Sequence, residues 1–376
     1  MKKKQTYKVF LLVGFCLLTT ISTAQKELDS ILEDAKNIIF DNPNKAISIG
    51  TEVFSEATQA ETKVNALMLI SNGYLSQRDN PKSLEYALKT RDYLNQISSL
   101  KLRIRILNTI GMQHQQLRIY DKAIEYLDEA LMIANRVKQP DSLASILGYN
   151  YSIRGFIYRE QMSCEIALNY FDKAIFQFEK NSERKSTRAN LSTLNYNKGN
   201  CFLQISQIDS ARINFNRSIV YAQEVGANSL VAFGKKGLSE VYTAEGNYNK
   251  AIDELKKAEA ASKKVGDLIL NQGIYKNLSD NYLAQGNSDL YQFYFKKYTE
   301  TQKRIYKKEQ ASINTSINNL IEEHNLTMKE KLFNLQITQW ILISLGLIST
   351  VFLGRLIYRN QRKYKEIKEK LESIRI

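Results

Sequence analysis

Proline is scarce in this 376-residue chain, with Pro43, Pro81 and Pro140 the only three. Proline breaks helix interiors and punctuates β-rich chains, so its scarcity argues against a turn-dense β architecture and for long helices. Cysteine is as rare, and one of the three, Cys16, lies in an apolar N-terminal stretch. The remaining pair, Cys164 and Cys201, is too few for a disulfide framework. Placed on neighbouring helices, the two would sit as buried free thiols or, in an oxidising compartment, as one bridge. With only His114 and His324 for histidines, a His/Cys zinc site is not expected, nor any other metal or cofactor.

Catalytic signatures are also missing. Gly234-Lys235-Lys236 lacks the upstream glycine and the Ser/Thr of a phosphate-cradling loop. There is no Gly-x-Ser-x-Gly elbow and no His-Glu-x-x-His. Glu322 and Glu323 are adjacent carboxylates on a charged helix with no partner set, which reads as a solvated face. No enzyme is expected.

The formal charge of +14 suggests nucleic acid until it is located. Lys2, Lys3, Lys4 and Lys8 lie at the extreme N-terminus, and eight basic against three acidic residues follow from Arg355 onward. That leaves a mildly basic, solvated body and no phosphate-binding stripe, so the central region is not expected to bind nucleic acid.

The ends point to export and anchoring. Residues 1–24 read as a signal peptide: a lysine-rich start, the apolar stretch Val9–Leu18, then Ser22-Thr23-Ala24 ahead of cleavage at Gln25. An uncleaved anchor is the alternative, although the stretch falls short of the roughly 20 residues a span needs. Near the other end no residue between Lys331 and Arg355 is charged, and Trp340 to Leu353 is almost continuously apolar. A membrane helix over 335–357 follows, with Trp340 and Tyr358 at the interfaces. Arg355, Arg359, Arg362, Lys363, Lys365 and Lys368 would hold the tail, 358–376, in the cytoplasm and leave the body outside it.

Internal repetition dominates the middle. Gly155-x-x-Tyr158 precedes Ala167, Phe171 and Ala174. The same frame returns at Gly111/His114 with Ala123, Leu127 and Ala130, and at Gly199/Phe202 with Ala211, Phe215 and Ser218. It recurs at Ser239/Tyr242 with Ala251, Leu255 and Ala258. Weaker copies are Ser71/Tyr74 with Ser83, Ala87 and Thr90, and Ser279/Tyr282 with Tyr291, Phe295 and Tyr298. Copies begin at 71, 111, 155, 199, 239 and 279, always with twelve residues from the small residue to the second set. A small residue lets a neighbouring helix approach, the aromatic one turn on fills the gap, and Gly246 and Gly286 suit left-handed turns. Small-x-x-x-large-x-x-small then marks one face of the second helix.

This pattern resembles the tetratricopeptide repeat (TPR) family over about residues 27–300. The resemblance implies an all-α superhelical solenoid of helical hairpins, 25–300, with a degenerate capping repeat at 27–57 and about six repeats after it. The steps exceed the family's usual period and its closing proline is absent. A charged helix, 301–334, follows, with sparse apolar positions Ile313, Ile317, Leu320, Leu332 and Leu335. It reads as a coupling helix, coiled-coil in character, or as a solvated spacer. The whole order is similar to the sensory half of TPR-containing membrane regulators common in the Bacteroidetes.

In a TPR solenoid the first helices line the concave side. Spacing of i, i+4 and i+7 on that face gives Asn108, Met112 and Gln115; Ser152, Phe156 and Arg159; Tyr196, Asn200 and Leu203; Lys236, Glu240 and Thr243. The ligand-binding set taken forward is Asn108, Met112, Gln115, Ser152, Phe156, Arg159, Tyr196, Asn200, Lys236 and Glu240. Mixed aromatic, amide and charged groups suit a peptide or protein segment. The expected function is a periplasmic protein- or peptide-binding scaffold, single-pass in the inner membrane, sensing for a signal-transduction system. A regulator or kinase would act in trans. The alternative is a tethered envelope assembly factor without a signalling role. Gly346, Thr350 and Gly354 fall four apart and would let two spans pack as a homodimer.

Overall fold

The computed structural model describes residues 25–36, 38–39, 42–138, 140–181, 183–262 and 267–373; the leader expected at 1–24 lies outside them. Among the described residues the regular structure is helical throughout. Helix α1 covers 25–36. It is followed by α2 (Pro43–Glu56), α3 (Ala60–Ser76), α4 (Asn80–Lys89), α5 (Leu100–Gln116), α6 (Tyr120–Ala134) and α7 (Ala144–Gln161). Then come α8 (Cys164–Glu179), α9 (Lys185–Gln204), α10 (Ile208–Glu224), α11 (Asn228–Ala244), α12 (Tyr248–Ser262), α13 (Leu268–Ala284) and α14 (Ser288–Ser373). Short 3₁₀ turns at Thr90–Gln96 and Pro140–Leu143 lengthen two of the links between hairpins. The six repeats predicted from sequence are the hairpins α3–α4, α5–α6, α7–α8, α9–α10, α11–α12 and α13 with the start of α14.

The sequence sets where these helices start. Asn42, Asp79, Ser99 and Ser163 each accept a hydrogen bond from the backbone N–H three residues on, and Asp267 caps Ile269 and Leu270. Two of the three prolines, Pro43 and Pro81, occupy the first turn of α2 and α4, where a missing N–H costs nothing.

Five hairpins turn in one way. Arg78, Arg118, Ser206, Gly246 and Gly286 all have positive φ, between 60° and 73°. The residue after each donates to the carbonyl five back: Asp79 to Tyr74, Ile119 to His114, Gln207 to Phe202, Asn247 to Tyr242 and Asn287 to Tyr282, at 2.8–2.9 Å. Glycine serves at 246 and 286 as the sequence predicts, but three turns use a side-chain-bearing residue. The α7–α8 turn differs: Met162 keeps φ at −126° and closes on Tyr158 alone.

Packing follows from the small positions. A Cβ on Gly155 would stand 2.4 Å from the Phe171 ring, so only glycine admits that ring. Phe215 is gripped from both sides: a Cβ on Gly199 would meet it at 2.6 Å and one on Gly237, in the next repeat, at 2.2 Å. Phe171 and Phe215 are fully buried, as are Ala123, Ala167, Ala211 and Ala251 beside the socket centres. Burying one such ring stabilises the fold by about 1.5–3 kcal/mol. Ahead of the repeats, Leu32, Ala35 and Ile39 pack with Ala46, Val53, Ala66 and Leu69, so α1 and α2 close that end of the core. Cys164 and Cys201 are free, buried thiols of one cluster; burial and a hydrogen bond with Cys164 push the Cys201 thiol up.

First helices pack on one another in succession, α5 on α7, α7 on α9, α9 on α11 and α11 on α13, while second helices pack chiefly on first helices. The first helices are therefore the inner row of a curved stack. Its path brings the α3–α4 turn to the start of α13, where Arg78 Nη2 lies 3.5 Å from Asp267 Oδ2.

Contacts divide the chain into two units, at residues 313 and 314. The second is helical, and its stretch Lys331–Lys365 is long and apolar enough to cross a membrane, with a mean hydropathy of 2.0 and no buried side chain.

Candidate functional site

The inner row carries the ten residues marked by sequence, and the structure divides them by what they already bind. Asn108 is 1% exposed. Its amide donates to the Ile146 carbonyl at 3.0 Å and its oxygen accepts from Asn150 at 2.7 Å. Asn150 in turn accepts from Arg154, which pairs with Asp128 at 2.6 Å. Asn108 thus belongs to a buried polar chain joining α5, α6 and α7. Ser152 is 6% exposed and its hydroxyl donates to the Gly148 carbonyl of its own helix at 2.7 Å. Neither offers a free group to a ligand.

Three more stitch neighbouring first helices together. Arg159 donates to Asn197 and to Glu160. Lys236 pairs with Glu240 at 2.6 Å and lies near the Tyr196 hydroxyl of α9. Desolvation pulls the Lys236 pKa down, but Tyr196 and Glu240 more than offset it, and the net shift is upward. Glu240 also accepts from Asn277 of α13 at 2.8 Å, and Thr243 donates to Asn281 at 3.0 Å. A polar seam thus runs along the inner row, and it fixes the register of one repeat on the next.

The rest of the set is open. Phe156 is half-buried, its ring 5.6 Å from Phe171. Tyr196 keeps one half-buried edge while its ring packs on Phe215 and Phe233 at 5.9 and 5.4 Å. Met112 packs half-buried beside Ile153 and Ile157. Among the described residues Gln115 accepts only from its neighbour Gln116. Asn200 is half-buried, and no described residue satisfies its amide.

One turn earlier on the same helices lie residues that the sequence reading stopped short of: Arg105, Tyr149, Thr193 and Phe233. Extending the spacing by three residues would have found them. Tyr149, half-buried between two core clusters, has its pKa pushed up to about 12 by desolvation and so remains a hydroxyl donor. No described residue accepts from it. Tyr149, Phe156, Tyr196 and Phe233 form an aromatic strip across α7, α9 and α11, with the unpaired Asn200 amide and Tyr149 hydroxyl on it. Such a strip can stack side chains and pair with a backbone. It has no nucleophile–base pair, and among the described residues no three His, Cys, Asp or Glu are placed to hold a metal.

Neither a protein-family model nor a curated protein matches the sequence. Solved structures match the fold. A signal-transduction ATPase with a tetratricopeptide repeat sensor from Pyrococcus horikoshii aligns with TM-score 0.57 and 14% identity, over 74% of this chain and 40% of that one. A Rap protein complexed with Competence and Sporulation Factor aligns with TM-score 0.53 and 13% identity, over 74% of this chain and 76% of that one. NprR in complex with its cognate peptide NprX gives 0.53 and 14%, over 75% and 80%. By fold, this chain is a tetratricopeptide-type helical-repeat protein.

Proposed function

We propose that the chain is a membrane-anchored scaffold whose inner row holds an extended protein or peptide segment, and that it is the sensing part of a signal-transduction system. The observation that carries this is the half-buried Asn200 amide, unsatisfied by any described residue, beside the aromatic strip of Tyr149, Phe156, Tyr196 and Phe233. An amide with free donor and acceptor pairs with a peptide backbone, and flanking rings supply the burial that anchors it. Two structures of like fold, the Rap protein and NprR, hold Competence and Sporulation Factor and the cognate peptide NprX respectively. The apolar stretch Lys331–Lys365 supports a single span. The basic residues after Arg355 support a cytoplasmic tail and periplasmic repeats.

Affinity capture by the full chain from an envelope extract tests the binding role. Phe156→Ala should weaken a captured partner by about 2 kcal/mol and leave helical content nearly unchanged. Asn200→Ala should weaken it without any stability loss, since the Asn200 side chain bonds no described residue. A partner retained at full affinity by both variants would move the binding surface elsewhere. A reporter fused at Ile376 tests the topology, because activity only outside the cytoplasm contradicts it. Leu320→Pro separates signalling from tethering: it should abolish a downstream response and leave the chain in the membrane.

A further inference from the structure

In five successive repeats the centre of the second-helix socket is closed off. Ala87, Leu127, Phe171, Phe215 and Leu255 are each at most 1% exposed. The equivalent residue of the sixth is Phe295, and it is 45% exposed. The flanking positions differ as well. In the four repeats before the last they are Ala123 and Ala130, Ala167 and Ala174, Ala211 and Ser218, Ala251 and Ala258, all buried. Such small residues let the next first helix approach. In α14 they are Tyr291 and Tyr298, whose rings lie 5.7 and 6.1 Å from that of Phe295. A further hairpin would collide with these rings, so this face is not a vacant socket for another repeat.

Its spacing matches a different kind of contact. Tyr291, Phe295, Tyr298, Gln302 and Ile305 recur at alternating steps of four and three, the seam of a two-helix coiled coil. On the open side of this seam the neighbouring positions are Gln292, Thr299 and Tyr306, none of them charged. On the other side lie Tyr294 and Thr301, buried within the solenoid. Glu300 falls on the opposite face of the helix, and Lys297 is engaged by Glu259 at 3.0 Å. A second α14 in parallel register would therefore set ring against ring with no like charges opposed.

We propose that the Tyr291–Phe295–Tyr298–Ile305 face of α14 is an interface with a second copy of this chain. The inference is independent of the inner row and of its ligand.

The test uses the full chain in detergent. Phe295→Cys should give a disulfide-linked dimer on mild oxidation with copper phenanthroline, and Glu300→Cys, on the far side of the helix, should not. By sedimentation, Phe295→Glu should weaken self-association at least about tenfold with melting unchanged, because the ring is exposed in the single chain. A monomeric wild-type chain at every concentration overturns the proposal, as does equal cross-linking from Glu300→Cys. Association that survives Phe295→Glu, as a dimer held by the span alone would, overturns it too.

Discussion

Tyr158 and Tyr170, twelve residues apart on the two helices of one hairpin, stack with ring centroids 4.8 Å apart and planes 30° apart. The relationship recurs twelve apart at Tyr74 and Tyr86 (5.4 Å), His114 and Tyr126 (5.4 Å), and Tyr282 and Tyr294 (5.7 Å). Where the second ring is missing, cations cover the first: Arg212 and Lys250 lie over Tyr242, and Lys198 lies over Phe202. Each hairpin thus carries a clamp at its turn-proximal end. Tyr158→Ala and Tyr170→Ala should each destabilise the fold, and a double-mutant cycle in urea should return a coupling of about 0.5–1.5 kcal/mol. Strict additivity would mean that the stack contributes only buried area.

Gly155→Ala places a methyl group 2.4 Å from the Phe171 ring. The expected loss is about 1–3 kcal/mol by denaturant titration, with the m-value unchanged. Gly346→Ala is the control: nothing lies within 4 Å of that site, and stability should not fall.

Arg118 is exposed and holds φ at 60° in the α5–α6 turn, a conformation that costs a side-chain-bearing residue about 1–2 kcal/mol. Arg118→Gly removes that strain against a smaller entropic penalty. The melting temperature should rise, by an amount equivalent to about 0.5–1 kcal/mol. Gly246→Ala makes the reverse change at φ 73° and should lower it.

Burial holds the His114 pKa below its ordinary 6.5, and Lys122 and Arg91 lower it further against an opposing pull from Glu125. The folded state therefore binds the proton less readily than the unfolded state. Stability from this residue is complete above pH 6.5 and declines as pH falls below it. Thermal melts from pH 7.5 to 5.5 should show that decline, and His114→Phe, which keeps the ring on Tyr126, should flatten it. A wild-type profile flat over this window would contradict the neutral, buried assignment.

The frame of small and aromatic residues was legible in the sequence because spacing alone carries it: Gly155 over Phe171 and Gly199 beside Phe215 are direct consequences of twelve- and sixteen-residue steps. The second ring of each clamp carries the same signal, but Tyr86, Tyr126 and Tyr170 stand between the small positions and look like ordinary surface tyrosines. The turns at Arg78, Arg118 and Ser206 were not legible, since a hydrogen-bonded closure imposes the left-handed backbone on residues with no preference for it. The inner row was legible as a row only. Helical spacing places Asn108 and Asn200 on one face alike, but the spacing of two helices decides which amide finds a partner, and that depends on residues 38 to 42 positions away.

The Arg78–Asp267 contact has a kinetic consequence. The other bonds between repeats described above join residues no more than 42 apart, whereas this one spans 189. Hairpins with such local partners can form and stack by propagation from any point, with little loop-closure entropy at each step. The ion pair is different in kind, because its two ends meet only when every hairpin between them has settled at its final pitch. Its formation would be the last event of folding and a timestamp on it. A fluorophore pair at these two positions would fire after the helical signal is complete, with a lag set by how long the stack takes to reach its final curvature.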